Sequence, residues 1–310
     1  MMLNVLEIVL PVFLVIGLGY TIRRQGLVDG NFYQQVNKLV FNVCLPLLLF
    51  YKIAGADFSS NFNFRLVLAS SAGVALCFSV AYLYGKWRNF PAAIHGSFCQ
   101  GSFRGNLAYI GLAIVFNAYG DSGLTRAGIL IGFLVPVLNF FAIFALLLPQ
   151  KQRTSYQEIA KQIIINPLIL ASLFGLLWSF LHLPIPIILD RSLNIATGMT
   201  LPLALLSIGG SFSLEKLKGD IWKAALATTM KLLFLPLVTG ALMLMFKVSG
   251  LDFAIGLLMA GAPTAVSTYI MACHMGGDGE LAGTIVMMAT AVSAVSYTLI
   301  LLFLKMYGIQ

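Results

Sequence analysis

The chain has 310 residues, 59% of them hydrophobic and only 10% charged, with a formal net charge of +8. That composition excludes a soluble domain and leaves a polytopic membrane protein. The positive charge does not indicate nucleic acid, because the Lys and Arg residues sit at the ends of apolar segments, as the positive-inside rule expects.

In chain order there are ten apolar segments, at 4–22, 35–52, 64–85, 91–118, 123–148, 164–182, 192–212, 220–246, 252–275 and 281–304. Most reach the ~20 residues that a spanning helix needs. Their apolar runs are continuous, so they read as helices and not as barrel strands. The first segment has Glu7 and no Lys or Arg before it, and no small-x-small pattern after it, so it reads as a span and not as a cleavable signal. With the N-terminus outside, Arg23, Arg24, Lys86, Arg88, Lys151 and Arg153 gather on the cytoplasmic side. Ten spans then put both termini outside the cytoplasm, in a plasma (bacterial inner) membrane. The expected organisation is a first five-helix half at 1–150, a cytoplasmic linker at 151–163 and a second five-helix half at 164–310. The four cysteines fall within apolar segments and read as packing residues.

The halves resemble each other weakly. Leu45–Leu49 (LPLLL) returns as Leu201–Leu205 (LPLAL). Gly101, Tyr109 and Ile110 return as Gly261, Tyr269 and Ile270, and Gly120-Asp121 returns as Gly277-Asp278. Because five spans is an odd number, the second half enters the bilayer from the opposite side. That predicts an inverted-topology repeat with a site at the midplane between the halves, the pattern of secondary transporters.

Segments four and nine correspond and both are interrupted, by Gly101, Gly105 and Gly111 in one and by Gly261 and Pro263 in the other. If the two breaks cross, they form a small polar cage lined by Arg104, Asn106, Thr264, Ser267 and Thr268. Half-helix N-termini in such a cage favour an anion. Every Asp and Glu except Glu7 falls in a loop or at a helix end, whereas Arg104 and Lys231 lie at membrane depth. That balance disfavours cation exchange and favours an anionic substrate.

Each polar residue also has a plainer reading. Asn106 can coordinate a carboxylate or tie off freed carbonyls, and Arg104 can bind the anion or cap segment nine. Thr264, Ser267 and Thr268 can back-bond within their helix. Asn139 either reaches the site or joins helices, and Ser293 and Ser296 occupy the corresponding place in the second half. Lys231 either is a counter-charge or hydrogen-bonds to a helix break. Pro46 and Pro202 read as helix kinks, and His95 and His274 as structural. No nucleophile–base pair, metal cluster or phosphate loop occurs, so neither cofactor nor enzymatic role is expected. A coupling ion, H+ or Na+, stays open.

The segments FNVCLPLLLF, FRGNLAYIGLAI, LPLALLSIGGSF and APTAVSTYIMACHMGGD resemble the auxin efflux carrier family of membrane transporters, which includes bacterial malate and malonate permeases. The resemblance spans the whole chain, and Arg104, Asn106 and Tyr109 to Gly111 form its most specific motif. It implies an all-α protein of ten transmembrane helices in two inverted five-helix repeats, with helices 4 and 9 broken and crossing. Helices 1, 2, 6 and 7 would form a scaffold that dimerises, and helices 3–5 and 8–10 a domain moving as an elevator. The implied function is secondary transport of small organic anions, mono- or dicarboxylates. The family often has proline where Ala113 stands, and its plant members have a long loop between the halves that is absent here. A sodium-coupled symporter of the bile-acid type is the nearest alternative, ahead of a channel or a membrane sensor.

Overall fold

In hydrocarbon every backbone N–H and C=O must find a partner inside the protein, and for continuously apolar segments only helices achieve this. The computed structural model describes residues 2–150, 165–212 and 219–308. Among the described residues all regular elements are helical, apart from one isolated bridge between Gly105 and Thr264. The expected linker at 151–163 lies outside the described residues.

In chain order the helices are α1 (Met2–Arg24), α2 (Gly30–Ala54), α3 (Phe58–Asn61), α4 (Phe64–Trp87), α5 (Ala92–Phe103) and α6 (Leu107–Gln150). They continue as α7 (Pro167–Phe180), α8 (Ile187–Ser211), α9 (Ile221–Met245), α10 (Gly250–Ala260), α11 (Ser267–His274) and α12 (Gly279–Met306). Seven are long and apolar enough to cross a membrane, and α7 and α10 are shorter apolar helices. The chain is thus a polytopic membrane protein, all-helical over the described residues. The fourth expected segment is divided between α5 and the start of α6, and the ninth between α10 and α11. α6 turns a corner at Gly120, whose φ of 60° and ψ of −149° suit a residue without Cβ.

Among the described residues three helices contain a π-turn, at Val40–Cys44, Leu107–Gly111 and Met230–Phe234. Two of these precede a Leu-Pro-Leu sequence, at Pro46 and Pro236. Proline cannot donate to the carbonyl four residues back and its ring crowds that carbonyl. The helix widens for one turn, so Leu45 N–H reaches the Val40 carbonyl and Leu235 N–H reaches that of Met230. Pro202 lies just past an interruption of α8 at Met199. Both prolines expected to kink helices therefore stand at irregular turns.

Three aspartates cap helix starts. Asp29, Asp220 and Asp278 each accept hydrogen bonds from the first turn of α2, α9 and α12. Asn63 and Asn166 do the same for α4 and α7. Trp87 and Trp222 are largely exposed near helix ends, as interfacial residues are. Cys44, Cys77 and Cys99 are buried, as the packing reading expects, but Cys273 is exposed because it faces outward near the end of α11.

Lipid offers no hydrophobic drive for helix association, so close packing must supply it. α1 and α8 meet through glycine: a Cβ on Gly19 would strike the Leu206 carbonyl, and one on Gly209 the Ile16 carbonyl. Tyr33 Oη donates to the Gly19 carbonyl at 2.9 Å, and Arg23 Nη1 donates to that of Gly210. Ser207 Oγ donates to Asn37 Oδ1 at 2.9 Å, tying α8 to α2. Elsewhere α2 lies against α7, α4 against α5 and α9, and α12 against α9 and α11. Gly209→Ala is expected to cost about 1–3 kcal/mol by overpacking, since the obstruction is backbone. The check is the melting temperature in detergent, which should fall for Gly209→Ala and stay unchanged for Gly17→Ala, where the added methyl meets open space.

Candidate functional site

α5 stops at Phe103 and α10 stops at Ala260, each in the middle of an apolar region. Beyond these ends the chain is extended at Arg104 (φ −74°, ψ 98°) and cannot donate at Pro263, which has no N–H. Backbone groups freed at such depth are costly unless paired. The two breaks pair with each other. Asn106 N–H donates to the Pro263 carbonyl at 2.7 Å, and Ala265 N–H donates to the Arg104 carbonyl at 3.0 Å. Thr264 Oγ1 adds a bond of 2.9 Å to the Gly101 carbonyl, which α5 itself leaves free. Gly101 and Gly261 admit α12 against both breaks, through Ile285 and Ile300.

An extended segment turns alternate side chains to opposite sides. Phe103, Gly105 and Leu107 face a cavity lined also by Lys231. Arg104 takes the other side and reaches two elements at once. Its Nε donates to Ser267 Oγ at 3.2 Å and its Nη2 to Asn139 Oδ1 at 2.9 Å. Its Nη1 is buried without a partner. Asn139 thus reaches the site from the far part of α6. Asn106 is 6% exposed, and its side-chain amide makes no hydrogen bond among the described residues. Thr268 Oγ1 is buried and unpartnered one residue beyond Ser267.

The structure therefore joins Arg104, Asn139 and Ser267 directly, with Asn106 and Thr268 on the same pair of breaks. Thr264 is committed to the backbone. Ser296 Oγ donates to the Ser293 carbonyl at 3.2 Å and Ser293 Oγ to that of Thr290 at 2.7 Å, the back-bonding of a helical serine. Lys231 is fully buried, and its Nζ donates to the Ala260 carbonyl at 2.6 Å, at the C-terminal end of α10. There it meets the negative pole of a half-helix. His95 is structural: its Nε2 lies 2.9 Å from the Tyr82 carbonyl and its ring stacks on Tyr82.

Two residues of this region escape a reading by break motifs alone. Gln100 and Ser97 lie one and two turns before Arg104 on the same face of α5, both with no exposed surface. Gln100 Oε1 and Ser97 Oγ are unpartnered, while Gln100 Nε2 is 3.5 Å from Met271 Sδ. The signal was available as Ser-x-x-Gln-x-x-x-Arg in an otherwise apolar helix.

The site offers one guanidinium, three side-chain amides and several hydroxyls, and among the described residues no carboxylate pairs with the guanidinium. Among the described residues no group of three His, Cys, Asp or Glu could hold a metal ion. Such a set can hold an anion through charge-assisted hydrogen bonds.

Similar proteins agree with a transport role. An uncharacterized transporter of Methanothermobacter thermautotrophicus is 26% identical over 94% of this chain and 96% of its own length. A protein of Rhizobium meliloti with a provisional assignment as a malonate transporter is 24% identical over 98% of this chain and 97% of its own. An uncharacterized transporter of Methanocaldococcus jannaschii is 23% identical over 93% of this chain and 95% of its own. The family profile described as membrane transport protein matches residues 4–301, so the chain belongs to that family, the auxin efflux carriers that its motifs resemble.

Proposed function

We propose that this membrane transporter is a secondary carrier of small organic anions, mono- or dicarboxylates, with the carboxylate held at the crossing of the two helix breaks. One observation carries the reading. Arg104 is a cation at membrane depth whose partners, Ser267 and Asn139, are both neutral and whose Nη1 is free. The ion pairs among the described residues are Lys52–Asp121, Arg126–Asp252 and Lys223–Asp220, and none includes Arg104. A buried cation without a counter-charge is costly, and an anionic substrate relieves that cost. Asn106 and Thr268 supply further unengaged groups for the same carboxylate. The provisional malonate assignment of the Rhizobium relative supports this substrate class.

The same proposal covers architecture and movement. In it, 1–150 and 164–310 are inverted five-helix repeats, α1, α2, α7 and α8 form the scaffold, and the remaining helices carry the site as an elevator. The packing of α1 on α8 and α2 on α7 supports the grouping, as does the bonding of the two breaks to each other. Homodimerisation through the scaffold, a plasma-membrane location and external termini rest on the family resemblance and the charge pattern.

Thermal unfolding in detergent, against a panel of carboxylates with and without sodium, tests the reading. At least one carboxylate is expected to stabilise the protein without sodium. Stabilisation by sodium alone would favour the bile-acid type of symporter instead. Asn106→Ala is expected to weaken carboxylate binding by about 10–100-fold, from the ~1.5–3 kcal/mol of a hydrogen bond to a charged group, with folding intact. Unchanged affinity would remove the crossing as the site. Arg104→Gln is expected to weaken a carboxylate far more than its neutral amide analogue in equilibrium binding. Equal losses would make Arg104 purely structural.

A further inference from the structure

Neighbouring residues near the end of α2 reach different partners. Tyr51 Oη donates to Asp190 Oδ1 at 2.8 Å, which ties α2 to α8. Lys52 Nζ instead donates to Asp121 Oδ1 of α6 at 2.6 Å. In the division proposed above, α2 and α8 belong to the scaffold and α6 to the moving domain. The first bond therefore stays within one body, and the second joins two. Asn117 of α6 makes another bond of the second kind, its Nδ2 donating to the Ile8 carbonyl of α1 at 2.7 Å. Asn117 and Asp121 flank the corner of α6 at Gly120, on the membrane face from which α1 starts. On the same face Asp252 accepts from Arg126 Nη1 at 2.7 Å and from Asn63 Nδ2 at 2.8 Å. Those two bonds join α10, α6 and the start of α4, all within the moving domain.

Beyond the corner, α6 meets the scaffold through glycine. A Cβ on Gly128 would come within 3.2 Å of Leu49 Cδ2 on α2, and one on Gly132 within 2.7 Å of Ser172 Cβ on α7. At these two contacts α6 presents no side chain to interlock with the scaffold, so a sliding shear meets its specific resistance at the corner. The Lys52 and Asp121 side chains are 20% and 71% exposed. An exposed ion pair contributes little, and water satisfies both charges once they part. Such a pair cannot hold two bodies shut, but it can bias a two-state equilibrium and still open in every cycle. We propose that Lys52–Asp121 is a releasable latch, which holds the moving domain against this end of the scaffold and sets how often the two separate there. The proposal rests on the two-body reading above.

The test is pulsed EPR on the full chain in lipid, with one spin label on each body. Ile188→Cys on α8 and Phe64→Cys on α4 carry the labels, at positions 80% and 65% exposed near helix starts on this face. Cys273→Ser removes an exposed native thiol, and Cys44, Cys77 and Cys99 are buried. Two distances are expected with the latch intact, the latched one dominant. Lys52→Met and Asp121→Asn are each expected to raise the minor population about twofold to fivefold, the range of an exposed ion pair. Exchanging the charges, Lys52→Asp with Asp121→Lys, is expected to restore the original ratio. Lys223→Met, which removes an exposed pair within α9 alone, is expected to leave the ratio unchanged. Two populations whose ratio is unaltered in Lys52→Met or in Asp121→Asn, or is not restored by the exchange, would overturn the latch and keep the moving domain. A single population in every variant would overturn the two-body reading together with the latch. No substrate is added, so neither outcome bears on the carboxylate site.

Discussion

The exchange of main-chain hydrogen bonds between two broken helices is the constraint around which this molecule is organised. A helix that ends inside a bilayer leaves carbonyls and amides that neither lipid nor water can satisfy. Here each break completes the other, through Asn106 with Pro263 and Ala265 with Arg104. Neither break is tolerable alone, so the two segments are obliged to stay together. Any movement of one then carries the other, and with it the side chains of Arg104, Asn106, Ser267 and Thr268. The glycines at 101 and 261 belong to the same arrangement, because they let α12 close over the pair.

Charge is sorted by depth. Aspartates cap helix starts, where free N–H groups and the positive helix pole stabilise a carboxylate. The two cations at depth lie on opposite sides of one extended strand of three residues. Arg104 faces Ser267 and Asn139, whereas Lys231 faces Gly105 and the end of α10. A single peptide segment thus separates two positive environments. Gly105 makes this possible, since a Cβ there would press on the Lys231 side chain.

Much of this was legible in the sequence, for reasons that differ from residue to residue. Gly101, Gly105, Gly261 and Pro263 mark the breaks because few other signals interrupt so apolar a run. Thr264, Ser267 and Thr268 were legible as polar groups beside a break, but not which hydroxyl serves the backbone and which stays free. That depends on rotamers fixed by packing. The link from Arg104 to Asn139 joins positions far apart in the chain and has no local signature. The π-turns before Pro46 and Pro236 were hidden because proline announces an irregularity without saying whether the helix bends or widens. The exposure of Cys273 is likewise decided by which face of a short helix meets its neighbours.

The π-turn at Met230–Phe234 has one further consequence, for counting. Each residue of an α-helix advances the azimuth by about 100°. A π-turn amounts to one surplus residue, so the part of the helix before it is rotated by that angle relative to the part after it. Lys231 sits within the surplus turn, two turns before Thr239. In a regular helix anchored by α9 beyond Pro236, the lysine would swing away from the α10 terminus and toward the hydrocarbon. A one-residue irregularity therefore acts as an indexing step that aims a charge inward. A deletion anywhere in that turn would be read by the molecule as a misdirected cation, although no residue in contact with it had changed.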